Sequence, residues 1–527
     1  MTGVTPMAGR KEWIGLAVLV LPCLLVSMDV SVLFFALPFI SADLAPTGTQ
    51  QLWIMDVYGF VLAGMLITMG SLGDRIGRRR LLLIGAAAFG LASVVAAYST
   101  SAELLIATRA LLGLAGATLM PSTLALIRNM FHDGGQRKTA IAIWTGGMTG
   151  GAVIGPIVGG FLLEHFSWGS AFLVNVPAMV LLLVLGPILL PEYRAPALGR
   201  FDLVSAALSL TAVLPVIYGV KQTAVDGLDL IPVLAIVAGL LAGVVFVRRQ
   251  RTHSAPLIDI GLFRNRTFSA SLAVNVVTMF GFIGITLFTN QFLQLVLGMR
   301  PFAAALWSLS VLPAISAAIV LSGVFAARVR PAYILAVGLL VTTAGFVVLI
   351  GVRVDSPLWV LLVAAGTVAA GILTVATLTA DLILTAAPPE RAGAASALSE
   401  TGSELGGALG MATLGSIGAA VYHHRMADLL LPGGPAGSGL PAEALRAASE
   451  TLGGAAAVAG RMPGPAGAAL LDAGREAFTQ GMNATAIAGA VVMATSAVVV
   501  IVLLRGLPAG SPPARDAAYQ GEPAVQH

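Results

Sequence analysis

Fourteen stretches of predominantly apolar residues run through the chain, each about 20 residues or longer and so able to cross roughly 30 Å of hydrocarbon as a helix. They lie at approximately 13–40, 51–72, 80–98, 103–127, 139–163, 169–190, 203–220, 230–247, 268–296, 303–326, 331–352, 358–386, 393–421 and 482–505. In lipid every backbone polar group must be satisfied within the protein, which a helix does within its own segment, and uninterrupted apolar runs of this length read as helices. Composition agrees. Of 527 residues, 57% are hydrophobic and only 10% are charged, against about 25% charged in an average soluble domain. A soluble fold needs a polar exterior that this chain cannot supply. These numbers exclude a soluble enzyme, a nucleic-acid binder and a disordered chain. The reading is an all-α polytopic membrane protein with 14 transmembrane helices. The first stretch is too long for the core of a signal peptide and is retained as a helix. Cys23 is the only cysteine, so no internal disulfide exists.

Charge sets the expected orientation. With the N-terminus in the cytoplasm and sides alternating, 21 of the 29 Lys and Arg residues fall on the inner side, and four of the seven outer ones lie in a single long loop. Short loops follow the positive-inside rule and long ones count little. An even number of spans with both termini cytoplasmic is therefore expected, in a cell inner membrane. The long loop, about 422–481, is rich in Gly, Ala and Pro. It reads as a partly ordered outer hairpin with helices around 441–452 and 466–478, the alternative being a gate. Residues 506–527 read as a disordered cytoplasmic tail.

Residues 70–82, GSLGDRIGRRRLL, join the second and third spans. Asp74 can pair with the arginines or with the positive end of a neighbouring helix, giving a latch that holds one conformation. Gly70, Asp74, Arg75, Gly77, Arg78 and Arg79 match the motif found at this place in the major facilitator superfamily, and the chain resembles that superfamily. A fainter echo, SGVFAARVRP at 322–331, has Ala327 where the acid would stand. The two copies suggest two related six-helix bundles with helices seven and eight inserted between them. The resemblance thus implies an N-terminal bundle over 1–200, inserted helices with a cytoplasmic linker over 201–266, and a C-terminal bundle over 267–505 that includes the long loop.

The fifth span carries GAVIGPIVGG at 151–160. Gly151, Gly155 and Gly159 are four apart and offer a groove for close helix contact. Pro156 removes a backbone donor. With Gly160, this pattern resembles the antiporter motif of drug:proton exchangers. LIATRALLGLAGA at 105–117 resembles another motif of these exporters, and its Arg109 is read either as part of a proton relay or as a structural pairing, with snorkelling to the surface a further option. MDVSVLFFALP at 28–38, QLWIMDVYGFVLAG at 51–64 and WGSAFLVNVP at 168–177 resemble the fourteen-helix drug:proton antiporter family of the QacA and SmvA type.

Acids inside the spans are the candidate proton and substrate sites, because an intramembrane acid is costly without a task. They are Asp29, Asp56, Asp381, Glu400 and Glu404. Asp29 and Glu404 lie near the midplane, judged from a rise of about 1.5 Å per residue. Glu400 and Glu404 are one turn apart and share a face. Two acids so close in a low-dielectric site do not both ionise easily and titrate as a unit. The resemblance points to the acids of helices one and thirteen as the substrate and proton positions. It also implies an acid in helix ten, which this sequence lacks. Aromatic residues in or beside the spans, among them Phe34, Phe35, Tyr58, Trp144, Phe292 and Trp307, suit organic cations, but packing accounts for such rings equally well.

The expected function is proton-coupled export of lipophilic cations, such as quaternary ammonium compounds and dyes, by alternating access. The alternative is a dedicated exporter of an endogenous metabolite or antibiotic, neutral or anionic. No nucleophile–base set or metal-ligand spacing suggests an enzyme. No cofactor or resident metal is expected, only the proton-motive force. The expected partners are the small-molecule cations, protons and the bilayer, with no nucleic acid, and the chain is expected to act as a monomer.

Overall fold

A computed structural model describes residues 7–192, 203–226, 229–252, 260–326, 328–387, 392–429, 442–462 and 465–504. The expected tail at 506–527 and most of the expected linker lie outside the described residues. Among those described there is no strand. The helices are α1 (Arg10–Leu44), α2 (Gly48–Ile76), α3 (Arg78–Ala97), α4 (Ala102–Met130), α5 (Gly134–His165), α6 (Ser170–Leu173), α7 (Asn175–Leu189), α8 (Leu203–Asp226), α9 (Leu230–Thr252), α10 (Arg266–Gln291), α11 (Pro301–Ser308), α12 (Leu312–Ala326), α13 (Pro331–Ile350), α14 (Leu358–Ala386), α15 (Ala392–Leu429), α16 (Ala442–Glu450), α17 (Leu452–Ala459) and α18 (Pro465–Leu504). With α6–α7 and α11–α12 each taken as one span, the fourteen apolar stretches all become helices. Twelve of the described spans are long and apolar enough on their own to cross a membrane. The other two, α2 and α8, pack beside them.

Local chemistry starts several of these helices. Thr47 and Gln50 form a reciprocal capping box on α2, with bonds of 3.1 and 3.0 Å. Ser101 caps α4 and Asp133 caps α5 by accepting from the backbone three residues on. Such caps satisfy amide groups that have no partner inside the helix.

The first helices gather around α1, which lies along α5 and also touches α4 and α7. The later ones gather around α10, which lies along α15 and touches α14 and α18. The α8–α9 pair rests on the side, where α8 meets α2 and α15. Glycine sets both long contacts. A Cβ on Gly151 would collide with the backbone of Leu24 in α1, and one on Gly410 with the backbone of Phe280 in α10. Gly155 and Gly159 likewise lie against Met28, Ser31 and Val32, and Gly406 against the backbone of Val276. Helix α5 runs unbroken through Pro156.

The two helix sets meet along α2 and α15 and again, through α5 and α11, at one end of the bundle. Glu164 on α5 accepts from the Phe302 N–H on α11 at 3.3 Å, and a Cβ on Gly160 would stand 2.7 Å from Phe302 Cα. The long loop adds to this closure. Helices α16 and α17 fold back so that Glu450 accepts from the Gly48 N–H at 3.0 Å, while Gly453 lies against Pro38 and Ser41 of α1. Tyr422 donates to the Ala448 carbonyl at 2.9 Å. The loop is shorter than its sequence suggests, because α18 begins at Pro465 and continues for 40 residues. The helix expected around 466–478 is therefore the start of the last span, held by buried Leu470, Ala477 and Phe478.

Overpacking a helix contact costs about 1–3 kcal/mol. Gly151→Ala and Gly410→Ala are each expected to lower the thermal unfolding midpoint of the detergent-solubilised protein. Gly150→Ala, where a Cβ meets nothing within 4 Å, should leave it unchanged.

Candidate functional site

Arg109 of α4 is fully buried, and its guanidinium forms an ion pair with Asp29 of α1, whose side chain is 2% exposed. Snorkelling is thus not its solution. A charge in a low-dielectric interior persists only when paired and hydrogen-bonded, and several groups complete this one. Arg109 Nε donates to the Ile54 carbonyl at 3.2 Å, and the guanidinium carbon lies 4.7 Å from the centroid of the Tyr58 ring. The other oxygen of Asp29 accepts from Asn175 Nδ2 at 3.4 Å, which also reaches Ser93 Oγ at 3.3 Å. The pair therefore ties α1, α2, α3, α4 and α7 together. The sequence reading missed Asn175 and Ser93. The available signal was a polar amide inside the quoted segment WGSAFLVNVP.

A separate cavity of about 130 Å³ lies between the two helix sets. Val30, Phe34, Met55, Asp56, Tyr58 and Gly59 line it from α1 and α2; Met279, Ile283, Ser403, Glu404, Gly407 and Met411 line it from α10 and α15. It holds one acid on either wall. Asp56 is buried, at 5% exposure. Glu404 extends across to α2, where a Cβ on Gly59 would stand 3.3 Å from its Oε2, so glycine at this place makes room for the carboxylate. Tyr58 is one of the lining residues, and its ring lies against Arg109 of α4.

The other candidate acids are not brought together here. Glu400 is half-buried one turn from Glu404 and does not line the cavity. Asp381 is exposed, toward the end of α14. Among the aromatic candidates, Phe34 and Tyr58 reach the cavity, Phe35 and Phe292 are core, and Trp307 is about half exposed. Trp144 donates to Thr123 at 3.1 Å.

The arginine-rich turn is anchored by a residue outside the motif. Gly77 joins α2 to α3 at φ +111°, a conformation that favours glycine, and a Cβ there would collide with the carboxylate of Glu192. Glu192 lies 3.6 Å from Arg79 and 3.8 Å from Arg80. Arg79 also donates to the carbonyls of Pro187 and Leu190, at 3.2 and 3.0 Å, and so caps the C-terminal end of α7. The Asp74 side chain lies outside the described residues.

Removing one member of a buried ion pair costs about 3–5 kcal/mol, because the other charge is left without compensation. Arg109→Gln is expected to destabilise the detergent-solubilised protein on that scale. The double variant Asp29→Asn with Arg109→Gln should recover part of the loss, read as a non-additive double-mutant cycle in thermal unfolding.

Comparison with known proteins places this geometry. Residues 20–411 match the Major Facilitator Superfamily. The chain is 46% identical over 506 residues to the multidrug efflux pump LfrA of Mycolicibacterium smegmatis, covering 96% of this chain and 98% of that protein. It is 37% identical over 478 residues to the methyl viologen resistance protein SmvA of Salmonella typhimurium, covering 89% and 93% respectively. Among solved structures, a bacterial homologue of the human lysosomal transporter Spinster, captured inward-facing and unoccupied, superposes with a TM-score of 0.67 at 19% identity, covering 94% of this chain and 98% of that one. That likeness concerns the fold alone. With two membrane helix sets about a shared cavity and these full-length relatives, the chain belongs to the Major Facilitator Superfamily, alongside its multidrug efflux pumps, and is a transporter and not an enzyme.

Proposed function

We propose that this protein exports lipophilic cationic drugs from the cytoplasm in exchange for protons, as a monomer in the cell inner membrane with both termini cytoplasmic. The observation that carries the reading is the acid on each wall of an otherwise soft and apolar cavity. Asp56 and Glu404 face it among Met55, Met279, Met411 and Phe34. Methionine adapts to irregular ligands and aromatic faces attract desolvated cations, while the carboxylates select positive charge. The relatives' names support drug export, one as a multidrug efflux pump and one as a methyl viologen resistance protein.

Two roles are proposed for the acids. Asp29 is held by Arg109 and does not line the cavity, whereas Asp56 and Glu404 do; the two lining acids are the ones proposed to receive the cargo. The cavity, at about 130 Å³, is smaller than the roughly 300–1,000 Å³ of a drug-sized site. The two helix sets must therefore part to admit cargo, and the arginine-rich end is proposed to open, since the bundle is closed at the hairpin end. Cargo binds the ionised acids from the cytoplasm. After the halves rock outward, protons replace it and the neutral site returns. Each ligand favours a different protonation state, and that difference is the coupling. One uncompensated charge crossing 100 mV corresponds to about 2.3 kcal/mol, roughly a fifty-fold gradient of cargo.

Ethidium-driven proton release from inverted vesicles tests this assignment. Glu404→Gln together with Asp56→Asn is expected to abolish it, whereas Asp381→Asn is expected to retain it. Full exchange in the double variant would overturn the assignment. Equal export of neutral lipophilic compounds by wild type and double variant would favour a dedicated metabolite exporter instead.

A further inference from the structure

The turn after α12 echoes the arginine-rich turn after α2, yet the two differ in how their charges are met. In the first, Arg79 and Arg80 have Glu192. In the second, Ala327 stands at the position that Asp74 holds in the first. Arg328 and Arg330 are exposed and have no ion-pair partner among the described residues. Arg330 also immediately precedes α13, so the positive end of that 20-residue helix lies beside them.

Next to this turn a groove of about 410 Å³ opens between α12, α13 and α14. Leu321, Phe325, Val329, Tyr333, Val337 and Val341 line it. Its floor is the close contact of α13 with α14, where a Cβ on Gly338 would meet Val375 at 2.6 Å. Phe325, Tyr333 and Val337 are each about half exposed, so the groove faces away from the bundle, toward hydrocarbon. From Tyr333 to Val341 it follows α13 for about 12 Å, at a rise of roughly 1.5 Å per residue. Val329, at its mouth, stands between the two arginines, and Tyr333 beside them places an aromatic hydroxyl where interfacial rings belong.

We propose that this groove binds an anionic phospholipid, with one acyl chain along α13 and the phosphate at Arg328 and Arg330. The arginines disfavour a cationic cargo in the same groove, and the apolar walls require an occupant with a hydrocarbon chain. In the first turn Glu192 balances the arginines from within the chain; in the second the membrane supplies the anion. The site is independent of the cargo and of proton coupling.

Native mass spectrometry of the full-length protein, titrated with dioleoyl phosphatidylglycerol or dioleoyl phosphatidylcholine, tests the proposal. Two arginines near a phosphate predict tighter retention of one phosphatidylglycerol by roughly thirty-fold. Arg328→Gln with Arg330→Gln should erase that preference. Arg353→Gln, which removes an exposed arginine 3.7 Å from Asp355 at the opposite end of α13, should preserve it. Val337→Trp, which fills the groove from its exposed face, should weaken phosphatidylglycerol retention several-fold with both arginines in place. Equal retention of the two lipids by the wild-type protein would overturn the proposal, whether or not the variants fold. So would an unchanged preference in the double arginine variant, or competition by free glycerol 3-phosphate as strong as that by the whole lipid.

Discussion

A guanidinium at membrane depth has no water to turn to, and the arrangement of the N-terminal helices follows from how Arg109 is accommodated. Its charge meets Asp29 on α1, its Nε meets a carbonyl of α2, and its planar face lies against Tyr58. Asn175 holds the other side of the carboxylate. Five helices converge on one compensated pair. The glycines of α5 allow α1 to approach closely enough for this register to hold, since a side chain at Gly151 would displace Leu24 and the turn that leads to Asp29.

The same compensation gives the neighbouring cavity its character. With Asp29 matched by Arg109, the acids facing the space between the helix sets are Asp56 and Glu404, one on each set. A ligand held there would touch both sides of the bundle at once. Rocking one set against the other would change the distance between the two carboxylates, so occupancy and conformation are physically linked. Tyr58 belongs to both places, as a lining residue of the cavity and through its ring against Arg109.

Much of the architecture was legible in the sequence. Apolar length located all fourteen spans, because hydrocarbon thickness leaves a helix little freedom. The four-residue glycine spacing on the fifth span located one helix contact, now seen as α5 on α1. The start of the last helix was less legible. Residues 465–481 are Gly- and Ala-rich and resemble a loop by composition, yet burial of Leu470 and Phe478 makes them helical. The pairing of Asp29 with Arg109 was beyond the sequence because the residues are 80 positions apart and their meeting depends on the register of two helices. Glu192 was missed for the same reason: it lies in the chain far from the turn it anchors.

The central claim is that carboxylates in the shared cavity hold either a hydrogen ion or a positively charged passenger. Proton release from purified protein on addition of a cationic dye, followed in weakly buffered solution at several pH values, measures this directly. The account predicts release that grows as the pH is lowered toward conditions where the acids are protonated before the dye arrives, together with weaker dye binding there. Dye binding of unchanged affinity at every pH, with no proton appearing in solution, would contradict it.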